Sequence, residues 1–151
     1  MKEYIKEALE LAQKAKQLGE VPVGAVIVKD GEIIASGYNR RETDNNALGH
    51  AEIMAINEAC RKLGSWRLDG CELYVTLEPC PMCAGAIINS RIKRVVFGAF
   101  DKKSGSCSHD SVVNLLELPY NHTPEVWAGI METECGKILT DFFDNLREKD
   151  T

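Results

Sequence analysis

Apolar residues recur at helical spacing at Ile5, Ala8, Leu9, Ala12 and Ala15, and Gly19 follows as a left-handed stop, so the pattern predicts a first helix closed there. The period then changes. Val23 to Val28 and Ile33 to Gly37 are apolar, β-branched runs flanking Asp30-Gly31, a pair suited to a tight hairpin turn, and two antiparallel strands are expected. Ile53, Ile56, Ala59, Cys60 and Leu63 return to one helical face, with Gly64 marking its end. Leu73 to Leu77 reads as a strand. Pro79-Cys80-Pro81 then turns into a helix carrying Cys83, Ala86 and Ile87, because proline in a first helical turn sacrifices no hydrogen bond. Val95 to Phe100 and the more weakly patterned Glu125 to Ile130 are further strands, with a short helix expected around Val112 to Leu116 between them. Cys135, Ile138, Leu139, Phe142 and Leu146 describe a closing amphipathic helix.

Mixed strands and helices without repeats, linkers or low-complexity stretches predict an α/β fold in three layers. A chain of 151 residues makes one domain, 1–151, able to bury roughly 70% of the surface its unfolded form exposes. The amino-terminal stretch from Met1 is charged and amphipathic, with no apolar run of the length a signal peptide or membrane span requires, so a cytoplasmic location is expected. The formal net charge of −5 argues against bulk attraction to a polyanion, and any contact with nucleic acid must be local.

The chemistry concentrates in His50-Ala51-Glu52 and, some thirty residues later, Pro79-Cys80-Pro81-Met82-Cys83. Zinc takes imidazole nitrogen and thiolate sulfur in a tetrahedron, so His50, Cys80 and Cys83 supply three corners and leave the fourth to water. An open corner makes such a site hydrolytic, because the cation brings the pKa of its water to about 7. Glu52, free of the metal, is placed to accept the water proton and deliver protons to a substrate nitrogen and to the leaving group. His50 falls at the start of one predicted helix, and the cysteine pair opens another. Cys80 and Cys83 lie one turn apart on one face, where about half a positive charge favours thiolates. The spacing H-x-E followed by P-C-x-x-C is the signature of zinc nucleobase deaminases, in which a flipped base is attacked and ammonia leaves.

Other readings of the same residues stay open at this point. Cys80-Pro81-Met82-Cys83 after a strand and opening a helix also fits a redox pair, although His50 and Glu52 then have no role. A structural zinc knot would need a fourth protein ligand, for which Cys107 or His109 is available. Ligand type alone leaves iron open beside zinc. The remaining cysteines, Cys60, Cys71, Cys107 and Cys135, read as small core or bystander thiols. Asn39, after the second strand, reads as a turn residue or a binding residue. Phe142 reads as core, and Lys102-Lys103 as a solvated loop unless it lies beside the pocket.

The chain resembles the bacterial tRNA-specific adenosine deaminases of the cytidine deaminase-like superfamily, nearly end to end. The likeness is carried by Glu20-Val21-Pro22-Val23-Gly24-Ala25-Val26, Asn39, His50-Ala51-Glu52, Trp66-Arg67-Leu68, Thr76 to Ala86, Ser90-Arg91-Ile92, Val95 to Ala99, Asn121-His122 and Phe142-Phe143. The resemblance implies a five-stranded mixed sheet between helices and a homodimer. It implies one zinc per chain on His50, Cys80 and Cys83, with Glu52 as proton shuttle and Asn39 hydrogen-bonded to a flipped nucleoside. The implied reaction converts adenosine to inosine at the wobble position of a tRNA anticodon stem-loop. A deaminase of free nucleobases or nucleosides (guanine, cytosine or adenosine) is the alternative with the same site. In that family the loop holding Ser106 to Ser111 borders the pocket, and basic residues follow Phe143. Here Asp144-Asn145-Leu146 precede Arg147, and the tail runs Glu148-Lys149-Asp150-Thr151, so weaker contact with the anticodon arm is expected.

Overall fold

Asp30 and Gly31 both take positive φ, 51° and 78°, and turn β1 (Gly24–Lys29) into β2 (Glu32–Tyr38) as the hairpin expected. The computed structural model describes residues 1–149, so the last two residues of the acidic tail, 150 and 151, lie outside it. Helix α1 (Lys2–Gln17) precedes the hairpin. Helix α2 (Ala51–Leu63), β3 (Cys71–Leu77), α3 (Pro81–Ser90), β4 (Arg94–Ala99), β5 (Glu125–Ala128) and α4 (Glu132–Lys149) follow it. The five strands form one sheet in the order β2-β1-β3-β4-β5. Strand β1 is antiparallel to both β2 and β3, whereas β3, β4 and β5 run parallel, so the sheet is mixed as expected.

The period of two along the strands sorts side chains into two cores. Ala25, Ile27, Leu73, Val75, Val95 and Phe97 face α2 and α3 with Ala55, Ala59, Ala84 and Ile87. Val26, Val28, Tyr74 and Val96 face the other way, against Ile5 of α1 and Cys135 of α4. Two helices therefore cover each face, giving three layers. Close approach of α2 depends on Gly37. A Cβ there would overlap the carbonyl of Ala51 and stand 2.8 Å from the Ala55 nitrogen, so a glycine in β2 seats the amino end of α2 on the sheet.

Two expected boundaries differ. The helix expected over Val112 to Leu116 is one 3-10 turn at Leu115–Glu117, and Val112 is 84% exposed. β-Branched Val112 and Val113 resist helix, and the Ser111 hydroxyl donates to the Val113 carbonyl at 3.0 Å, competing for the backbone. Only Leu116 is buried, beneath α3. Strand β5 stops at Ala128, two residues short of Ile130, because Gly129 and Met131 take positive φ and turn the chain into α4. Among the described residues no helix is long and apolar enough to cross a membrane.

Candidate active site

Antiparallel pairing of β1 and parallel pairing of β4 bring four chain ends to one edge of the sheet: the start of β1 and the ends of β2, β3 and β4. Chain that has just left a strand cannot fill the crevice between the helices, so a cavity forms there. It has a volume of about 220 Å³. Val21 and Val23 line it from before β1, Asn39 and Arg41 from after β2, Leu77, Glu78 and Cys80 from the end of β3, and Asp101 and Ser104 from beyond β4. His50 and Glu52 enter from α2.

His50 and Cys80 hold equivalent positions. Each is the N-cap of its helix, with φ and ψ of −78° and 153° for His50 and −75° and 172° for Cys80. Neither side chain caps its helix. Both instead turn toward each other, forgoing the roughly 1 kcal/mol that a capping side chain contributes. Pro81 occupies the first turn of α3, and Cys83 follows one turn after Cys80. His50 Nδ1 stands 3.6 Å from Cys80 Sγ and 3.6 Å from Cys83 Sγ. All three ligand atoms lie within 4.8 Å of one another.

That spacing fits a metal. A tetrahedral zinc with bonds of about 2.3 Å to sulfur and about 2.0 Å to nitrogen separates S from N by roughly 3.5 Å. A single ring N–H could not serve two sulfurs equally well. Both sulfurs stand at hydrogen-bonding distance from the same imidazole nitrogen. Cys80 is held down to about 4, first by its hydrogen bond with Cys83 and then, against burial, by that with His50, while the same Cys80 contact and burial push Cys83 up. A dication would displace any thiol proton and hold both sulfurs as thiolates.

Among the described residues, the group has three members. Cys107 and His109, the sequence candidates for a fourth ligand, are not among them. The Cys107 thiol is directed to the Pro79 carbonyl at 3.8 Å, and burial pushes it up to about 12. His109 lines a separate hollow with Asp110 and Asn114. Glu52, in the first turn of α2, is 4% exposed and borders the same cavity. Burial pushes its carboxyl up to about 7, against the backbone hydrogen bonding and the His50 ring that lower it. A carboxyl so poised suits a group that must both take and give a proton near neutrality.

Asn39 lies at the cavity wall, 8% exposed. Lys102 and Lys103, read from the sequence as solvated unless beside the pocket, are exposed and sit in the turn between the two wall residues Asp101 and Ser104. Phe142 is buried, as its spacing implied. Asp144 pairs with Arg147 on α4. Beyond β4 the cavity is lined by Asp101 and Ser104 and by none of Ser106 to Ser111. Residue type and spacing alone give Arg41, Asp101, Glu20 and Glu78 no role. An acidic residue directly before Pro79-Cys80 at the end of an apolar strand was the available signal for Glu78, since a buried carboxylate requires donors.

Residues 1–147 match the MafB19-like deaminase family. The chain is similar to the tRNA-specific adenosine deaminase of Bacillus subtilis (strain 168), 56% identical over 147 residues that make up 97% of this chain and 90% of that protein. A solved tRNA:A34 deaminase, from a study of A-to-I editing at the wobble position of transfer RNA, superposes with a TM-score of 0.88 at 44% identity, over 92% of this chain and all 100% of that one. The guanine deaminase from Nitrosomonas europaea is more distant, with a TM-score of 0.77 at 25% identity over 93% of this chain and 83% of that one.

Proposed function

This chain belongs to the tRNA-specific adenosine deaminases, and from that premise we propose that it hydrolyses adenosine to inosine in tRNA, at the wobble position of the anticodon loop. The observation that carries this reading is one cavity holding His50, Cys80 and the buried Glu52, with Cys83 completing the three-atom donor group. His50, Cys80 and Cys83 would hold one zinc ion. When bound, zinc supplies Lewis acidity that makes water nucleophilic near neutral pH.

Glu52 accepts one proton from the attacking water and passes it to the ring nitrogen next to C6, then takes the remaining proton from the new C6 hydroxyl and gives it to the leaving amine, so that water and adenosine become inosine and ammonia. Burial matches Glu52 to this exchange by raising its pKa toward the working pH. Asn39 hydrogen-bonds the nucleoside that enters the cavity. At about 220 Å³ the space lies below the roughly 300–1,000 Å³ usual for larger ligands and suits a single base taken out of its stack.

Likeness to guanine deaminases supports a second reading, action on free bases, but the Bacillus subtilis guanine deaminase, 48% identical, covers 64% of this chain with a TM-score of 0.62, against 97% coverage at 56% identity for the tRNA-specific adenosine deaminase, and it carries less weight. The whole chain is read as one deaminase domain in the cytoplasm, a location supported by six free cysteines. A second copy of the chain is the proposed partner, supported by the resemblance and by apolar Leu48, Val112 and Tyr120, which are exposed. The function is tested by incubating the zinc-loaded protein with an anticodon stem-loop bearing a wobble adenosine, and separately with free guanine, cytosine and adenosine. Inosine in the stem-loop is expected. Ammonia released only from the free compounds would overturn the assignment.

A further inference from the structure

A second buried carboxylate stands next to the donor group without belonging to it. Glu78, two residues before Cys80, is 3% exposed and lines the cavity. Its oxygens are committed to one loop. Oε1 accepts the Asp101 N–H at 3.0 Å, and Oε2 accepts the Cys107 N–H at 2.9 Å and the Ser108 hydroxyl at 2.9 Å. The adjoining Pro79 carbonyl accepts the N–H and the hydroxyl of Ser106, at 3.0 and 2.9 Å. The loop after β4 is thus hung on the two residues that lead directly into Cys80.

Gly105 shows how closely the loop wraps this carboxylate. A Cβ at 105 would stand 2.6 Å from Glu78 Oε1 and overlap the Asp101 carbonyl, which itself accepts the Gly105 N–H at 2.8 Å. Only a residue without a side chain lets the backbone close there. The same loop carries Asp101 and Ser104, the cavity wall beyond β4. Asp101 Oδ1 is in turn oriented by the backbone N–H groups of Lys103 and Ser104, at 3.1 and 3.0 Å.

We propose that Glu78 is a positioning residue of the deamination site, mooring the Asp101–Ser104 wall against the Cys80 end of the donor group so that an entering nucleoside meets a cavity of fixed width. This rests on the deaminase reading above. Glu78 acts through the wall and not on the reacting atoms, so its loss acts on substrate capture before turnover.

Glu78→Gln tests this, because the amide keeps the shape but has one acceptor oxygen. If that oxygen stays with Cys107 and Ser108, the new NH2 group faces the Asp101 N–H, donor against donor, and the wall is released. The variant is expected to retain one zinc per chain and to show faster amide exchange across 101–108 with α3 unchanged. Its KM for the anticodon stem-loop should rise roughly tenfold while kcat changes less than about threefold, since small displacements of a positioning element are costly. Ser108→Ala, which removes one donor, should move exchange and KM in the same direction by less, and it serves if Glu78→Gln does not fold. Faster loop exchange with an unchanged KM would overturn the proposal, as would lost zinc with a fallen kcat. Wild-type protein inert on the stem-loop would strike the deaminase reading, while exchange across 101–108 in Glu78→Gln still decides the mooring.

Discussion

The side-chain amide of Asn39 is fastened to Val21, donating from Nδ2 to the carbonyl at 3.1 Å, while its Oδ1 accepts the Arg41 N–H at 3.1 Å. These two partners assign the amide's orientation and leave each polar atom one further hydrogen-bonding position. A preorganised amide at the cavity wall can thus read a nucleoside without rearranging.

Asn39→Asp removes the donor and sets a carboxylate oxygen against the Val21 carbonyl. Stability should fall by about 1–3 kcal/mol and kcat/KM for the stem-loop by roughly a hundredfold, with zinc retained. Thermal unfolding, steady-state kinetics and metal analysis together check this. Unchanged kcat/KM would reduce Asn39 to the turn residue its sequence position also allows.

Much of this arrangement is readable in the residues because its signals are local. Asp30-Gly31 specifies its hairpin through two positive φ angles, and Gly64 ends α2 at φ 62°. His50, Glu52, Cys80 and Cys83 stand out by chemistry at fixed spacing. The pairing of β1 with β3 is not local. It joins strands over forty residues apart, and only packing of both faces selects it. Glu78 is hidden for the same reason, since its donors lie 23 to 30 residues downstream. Val112 to Leu116 misleads because its apolar residues carry helical spacing while only Leu116 is buried.

Glu20 holds the chain that follows the wall residue Arg41. Only 1% exposed, it accepts the N–H groups of Glu42 and Thr43 at 3.1 and 2.6 Å. Burial raises its pKa, but the hydrogen bonds from Thr43 and Glu42 and the charge of Arg41 outweigh it, and the net shift is downward. A carboxylate depressed in the folded state stabilises above its unfolded pKa of about 4.3, and that contribution is lost as pH falls through the lower folded value. The Tm gap between wild type and Glu20→Gln should therefore be full at about pH 6 and narrow below about pH 4. A gap independent of pH would contradict an ionised mooring.

Asp144 pairs with Arg147 on the solvent side of α4, occupying a cation that could otherwise meet phosphate. Asp144→Arg both frees Arg147 and adds a charge. Affinity for the stem-loop at low salt should rise several-fold, with the log–log salt slope steeper by about 0.7 to 2 as one or two phosphate contacts are gained. Filter binding across a salt series measures this, and an unchanged slope would remove α4 from the RNA-contacting surface.

Metal content per chain, measured on wild type, Glu52→Ala and Cys83→Ala after dialysis against a weak chelator, tests the division of labour on which the chemistry depends. Three donors holding zinc and one carboxyl kept off it predict one equivalent in wild type, one equivalent in Glu52→Ala despite lost turnover, and little or none in Cys83→Ala. Zinc lost from Glu52→Ala, or retained at one equivalent by Cys83→Ala, would contradict it.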